Sequence, residues 1–146
     1  IGEVAIPIAF ESVKKMVTYC DMKTKKVKRM SDRSKNEMFR DIIDQSIKNV
    51  LKYAYVLADS WYASKENMKH IKSKGKRFVL ALKSNRLIAR NKKDTKRGEF
   101  KKLSELELGE NTAVGAYIKS VSFPVFTSKT SLYKQRWKHR YFRLSW

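Results

Sequence analysis

Two stretches decide the reading, Tyr53-Ala-Tyr-Val-Leu-Ala-Asp59 and Arg77-Phe-Val-Leu-Ala-Leu82. Each is a short continuous apolar run, the pattern expected of a strand buried on both faces of a sheet, where alternation is not required. Between them Ser64 is placed to cap a helix carrying Met68 and Ile71, and Gly75 supplies a left-handed residue at its end. Strand, helix and strand in succession predict a parallel pair joined by a crossover. In open α/β sheets, polar groups at the carboxyl ends of strands line the crevice that binds ligands. Asp59 stands at such an end. A carboxylate there can hold a divalent cation, or it can cap the turn into the next helix, and the residues alone leave both open.

Upstream, Ser34-Lys-Asn-Glu37 is a capping box and predicts a helix start. Met38, Phe39, Ile42, Ile43, Ile47, Val50 and Leu51 follow at helical spacing, an apolar stripe expected to be core. Met16 to Met30 alternates apolar with basic residues, as a solvent-facing strand or hairpin would. Val4 to Val13 is β-prone and broken by Pro7, which suits an edge strand or bulge. Downstream, Lys83 to Lys102 is polar and basic and reads as a loop or linker. Leu103-Ser-Glu-Leu106 suits a helical turn, and Ala113 to Phe126 alternates like a strand, interrupted by Gly115 and Pro124. The chain opens at Ile1, without an initiator methionine and directly in a strand-like stretch, which raises the expectation of a piece of something larger.

A chain of 146 residues with 42% hydrophobic content is long and apolar enough to build a core. Against 14 acidic residues stand 34 lysines and arginines, a formal net charge of +20. Such a field needs a counter-charge, and nucleic-acid phosphates are the commonest one, because each neutralised phosphate releases condensed counterions. An anionic membrane surface or an acidic protein would also serve. The single Cys20 excludes an internal disulfide and suits a reducing compartment. His70 and His139 have no partners at metal-ligand spacing. No apolar run approaches the roughly 18 residues that span a bilayer, and no secretory signal opens the chain, so a cytoplasmic, nucleoid-associated protein without membrane partners is expected.

Several of these stretches carry a family resemblance. Val56-Leu-Ala-Asp-Ser-Trp-Tyr62, Lys65-Glu-Asn67 and Gly75-Lys-Arg-Phe-Val-Leu-Ala-Leu-Lys-Ser-Asn-Arg86 resemble the second-aspartate region of DDE insertion-sequence transposases. In that family one strand ends in Asp-x-x-Tyr and the next ends near Lys-x-Asn-Arg. Ile6-Pro-Ile-Ala-Phe-Glu11 and Ser34-Lys-Asn-Glu-Met-Phe39 resemble the stretch before that aspartate, and the similarity covers roughly residues 1 to 127. The resemblance implies a ribonuclease-H-like fold in which Asp, Asp and Glu carboxylates hold two magnesium (or manganese) ions for phosphodiester cleavage and strand transfer. It makes Asp59 the second catalytic and metal-binding carboxylate. The first would lie upstream of Ile1, since Asp21, Asp32, Asp41 and Asp44 read as solvated surface. Lys83, Asn85 and Arg86, at the end of the neighbouring strand, would face the same crevice and contact DNA phosphates, or else form a soluble loop. Trp61 and Tyr62 read first as packing residues, with base stacking as the alternative.

The resemblance breaks at the closing glutamate. The family pattern Tyr-x2-Arg-x3-Glu begins at Tyr133 and Arg136 but meets Arg140 where the glutamate belongs, and a cation cannot ligate a metal. One codon choice for Lys129 onward, entered one base later, encodes a strand, a Lys-Asp-Gly-Ser turn and a second strand, which resembles what the family places after Phe123-Pro-Val125. The tail would then be translated out of frame. At face value its alternating basic and aromatic residues suit a nucleic-acid-binding strand or a disordered end.

The expected architecture is α/β: a partial ribonuclease-H-like fold with a mixed sheet flanked by helices, plus a small β-rich insertion. The expected segments are a transposase core over 1–90, a basic linker and β-rich insertion over 91–127, and a frameshifted or disordered tail over 128–146. The expected function is that of a truncated transposase, DNA-binding and catalytically incomplete, with a full-length transposase or a second copy as candidate protein partner. The alternative is a basic non-catalytic nucleic-acid-binding module.

Overall fold

The structure, a computed structural model, describes residues 9–109, 112–130 and 141–145. It divides into two compact units, residues 1–52 and 53–146.

In the first unit, β1 (Val17–Asp21) and β2 (Lys26–Met30) form the antiparallel hairpin expected over Met16 to Met30. Lys25 closes the turn at φ 50°, its N–H donating to the Asp21 carbonyl at 2.7 Å. Asp21 pairs with Lys28 across the strands, and this contact, with the Lys23 N–H, holds its carboxyl below the usual aspartate range. Helix α1 (Lys35–Lys48) starts at the predicted capping box: Glu37 N–H donates to Ser34 Oγ at 3.2 Å, and Ser34 N–H to Glu37 Oε2 at 2.7 Å. Of the apolar stripe, Met38 and Ile43 are buried, while Val50 lies past the helix end and is 79% exposed. Phe39, Ile42, Ile47 and Leu51 are half-buried, so the stripe is core at Met38 and Ile43 and only partly covered elsewhere.

In the second unit, β3 (Tyr55–Ala58), α2 (Lys65–Ser73) and β4 (Arg77–Leu82) make the predicted crossover, with β3 and β4 parallel from Tyr55 opposite Arg77 to Ala58 opposite Leu80. Ser64 caps α2, and Gly75, at φ 68°, ends it: Gly75 N–H reaches the Lys72 carbonyl and Lys76 N–H the Ile71 carbonyl, the paired bonds of a Schellman turn. Met68 and Ile71 of α2 are fully buried, as are Phe78 and Leu80 of β4, the strand against which α2 packs. At about 25 cal/mol per Å² of apolar surface, such side chains contribute on the order of 2 kcal/mol each, so this layer is the anchor of the unit.

Two expectations are corrected. The run ending at Asp59 was expected to be buried on both faces, yet Tyr55 and Leu57, on one face of β3, are 45% and 72% exposed; among the described residues β3 ends the seven-stranded order β3-β4-β9-β8-β7-β5-β6. A continuous apolar run does not by itself say how many neighbours a strand has. The stretch Lys83 to Lys102 is not a plain loop but holds β5 (Leu87–Ala89), helix α3 (Lys92–Arg97) and β6 (Lys101–Lys102). Asn91 caps α3 through the Asp94 N–H, and Gly98 terminates it at φ 76°. Local caps sustain that short helix where composition alone suggested none.

The helical turn at Leu103–Glu105 forms as expected, and the alternating stretch after it becomes β7 (Val114–Ile118) and β8 (Val125–Thr130), separated by a turn. Strand β9 (Tyr141–Ser145) lies between β4 and β8 and pairs antiparallel with both. Through it β5 to β8 join β3 and β4 in one mixed sheet, so the tail has two partner strands where the sequence offered none in view. Ile6, Pro7, Tyr133, Arg136 and Arg140 lie outside the described residues.

Candidate functional site

Asp59 follows the last residue of β3 and is exposed. Its Oδ1 accepts from the Trp61 N–H at 2.9 Å, and its carbonyl accepts from the Tyr62 N–H at 3.2 Å. The carboxylate therefore caps the turn, one of the two roles open from sequence. That bond uses one oxygen and Oδ2 takes no part in it, so turn capping and ligand binding do not exclude each other.

The loop after Asp59 is fixed from two sides. Asn67, on the first turn of α2 and 0% exposed, donates from Nδ2 to the Tyr62 carbonyl at 2.9 Å, while its N–H donates to Ser64 Oγ at 3.1 Å. Arg86, half-buried, donates from Nη2 to the Ala63 carbonyl at 3.0 Å. Two successive carbonyls of the loop are thus clamped, one by α2 and one by the turn after β4. Arg86 Nε is buried with no hydrogen-bond partner among the described residues. A buried donor left unmade costs about 1–3 kcal/mol, so an anion reaching it would gain that back.

Lys83, Asn85 and Arg86 form that turn, closed by the Arg86 N–H to the Lys83 carbonyl at 3.0 Å. Together with Ser60, Trp61 and Ser64 they line an open cleft of about 170 Å³. A neighbouring cleft of about 500 Å³ shares Ser64, Asn85 and Arg86 and extends to Lys65, Glu66 and Lys119. The structure thus brings all three predicted cationic or amide residues beside the loop that Asp59 begins. Lys83 and Asn85 are exposed, whereas the Arg86 guanidinium is engaged in holding the loop. Trp61 is 73% exposed at the cleft, with Lys83 Nζ 5.1 Å from its ring centroid, so packing describes the half-buried Tyr62 and not Trp61.

Asn67 escaped the sequence reading as a positioning residue. The available signal was its place three residues after the Ser64 cap, where a side chain of α2 can reach back to the preceding loop.

Three carboxylates make the ion-binding centre that the resemblance implies. Among the described residues, no group of three His, Cys, Asp or Glu side chains is arranged to hold a metal ion. Among the described residues the carboxylates near these clefts are Asp59, at the start of the loop, and Glu66, in the lining of the larger cleft, and they do not make a complete two-ion centre. No cleavage step follows from them. Among the described residues, no helix is long and apolar enough to cross a membrane.

A family model described as the transposase DDE domain matches residues 10–141. Nothing matches among curated proteins or among solved structures. The match spans the parallel β3–β4 pair, Asp59 and the Lys83–Arg86 turn, and the chain belongs to the transposase DDE domain family.

Proposed function

We propose that this chain binds DNA at the cleft beside Asp59, as the part of a ribonuclease-H-like transposase core that grips the phosphate backbone, and that it does not cut DNA by itself. The family acts in transposition, on DNA and generally with divalent metal ions. The observation that carries the reading is the meeting of the loop after Asp59 with the Lys83–Arg86 turn in one cleft at the carboxyl ends of two parallel strands. Lys83 and Asn85 are exposed there and suit phosphate oxygens. Arg86 orders the cleft and offers its buried Nε. Asp59 would hold a magnesium or manganese ion, the kind of hard cation that a lone carboxylate binds without displacing most of its water.

The test is duplex-DNA affinity over a salt series. Lys83→Ala is expected to reduce the slope of log affinity against log salt by about 0.9, the value of one phosphate contact. An unchanged slope would remove Lys83 from the interface. With magnesium and supercoiled plasmid, the full chain is expected to leave the plasmid unnicked. Nicking abolished by Asp59→Asn would overturn the claim of inactivity while supporting the site.

The reading of residues from about Ser128 onward as out of frame is a separate proposal, tested by the gene's nucleotide sequence. Stop codons in the alternate frame would end it. The basic-module alternative predicts that divalent ions affect DNA binding equally with and without the Asp59 carboxylate.

A further inference from the structure

We infer that the β1–β2 hairpin is a second DNA-binding element, a basic two-stranded ribbon that seats in the major groove of a duplex. The inference rests on the reading that this chain binds DNA, but it concerns a surface in the first unit, separate from the Asp59 cleft.

Between Lys14 and Arg33 lie eight lysines and arginines against two acids, Asp21 and Asp32. One acid, Asp21, is spent on Lys28 and the turn. Lys14 and Lys15 precede β1 and Arg33 pairs with Asp41, while Lys23, Lys25, Lys26 and Arg29 gather at the tip and along β2, all exposed. The register places Thr18 directly opposite Arg29 and Cys20 opposite Val27 on one open face. Val17, Tyr19 and Met30 share the other face with Lys28. Arg and Thr are side chains that hydrogen-bond base edges, and lysines at a turn suit the flanking phosphates.

Size agrees with this placement. Five residue pairs at about 3.4 Å each make a ribbon of roughly 17 Å, and strands about 4.8 Å apart fit a groove about 12 Å wide. Charge selects the occupant. A second copy of the same ribbon would bring like charge against like charge, and lysines along a strand edge oppose strand addition. A polyanion has the complementary field.

Three exposed cations can be removed with little effect on the hairpin: Lys23→Ala, Lys25→Asn, which tolerates the positive φ, and Arg29→Ala. The control is Lys92→Ala, Lys93→Ala and Lys96→Ala on α3, which removes the same charge elsewhere. Affinity of the full chain for a random-sequence duplex is measured over a salt series. The hairpin triple is expected to lower the slope by close to 3, at about 0.9 per contact, and the α3 triple to leave it unchanged. A charge-keeping triple, Lys23→Arg, Lys25→Arg and Arg29→Lys, is expected to retain the slope. Equal effects of the hairpin and α3 triples, no effect of either, or loss in the charge-keeping triple would overturn the proposal. So would a hairpin triple that changes the sedimentation of the chain and not its DNA slope, since the ribbon would then meet protein. If Lys83→Ala lowers the slope while the hairpin triple does not, this inference fails and the cleft stands. The reverse result leaves the ribbon standing without the cleft.

Discussion

Val50 takes φ 56° in the turn that ends α1, with its N–H on the Ile47 carbonyl at 2.9 Å and the Leu51 N–H on the Ser46 carbonyl at 3.1 Å. This is the place where glycine normally stands, and a β-branched residue there costs roughly 1–2 kcal/mol. Because Val50 is exposed, Val50→Gly is expected to raise stability by about 0.5–1 kcal/mol once the greater freedom of the unfolded glycine chain is subtracted. A higher urea midpoint at unchanged m-value checks it, and a lower midpoint would show that Val50 packs after all. Asn67→Ala has the opposite sign, for it leaves the Tyr62 carbonyl without its donor inside a closed loop. It is expected to cost about 2 kcal/mol and to speed amide exchange at Trp61 and Tyr62. Unchanged exchange would mean that the loop holding Asp59 is ordered by other contacts. That Asp59 follows β3 and that Lys83, Asn85 and Arg86 follow β4 was legible in sequence, because each run of apolar residues ends just before them. The clamping roles of Asn67 and Arg86 were not, because a polar side chain on a helix or in a turn reads as surface until burial is known.

At the scale of elements, the capping box of α1 gives a pH dependence with a definite sign. Hydrogen bonds from the Ser34 backbone, then from its side chain, hold Glu37 below its ordinary value of 4.5. A carboxyl depressed in the folded state adds stability that is fully present above the ordinary value and disappears as pH falls through the lowered one. Helicity of α1 is therefore expected to decline below about pH 4.5, and Glu37→Gln, which keeps the acceptor and removes the charge, to flatten that decline. Urea melts across that range on both chains check this, and equal slopes would assign the acid effect elsewhere. Helices α1 and α2 and the β3–α2–β4 crossover were legible because their signals are local: caps at Ser34 and Ser64, an apolar period between, and Gly75 as a stop, whereas α3 was read as loop. Strands β5 and β9 were not, because a strand is defined by partners far away in sequence. Leu87–Ala89 is too short to show alternation, and β9 finds its place only between β4 and β8.

For the whole molecule, a net charge of +20 ensures that some affinity for any polyanion exists at low salt, and that this part fades as salt rises. Charge alone therefore cannot distinguish a transposase surface from a generic basic one. Asp59 can, since an acidic group beside a phosphate-binding cleft repels DNA unless a cation lies between them. The direct test is duplex affinity of the full chain and of Asp59→Asn, each measured in chelator and with manganese. The expected result is that manganese tightens DNA binding by the unaltered chain and leaves Asp59→Asn unchanged, while in chelator Asp59→Asn binds at least as tightly as the unaltered chain. An equal manganese response in both chains would contradict the assignment of Asp59 to the DNA-facing site.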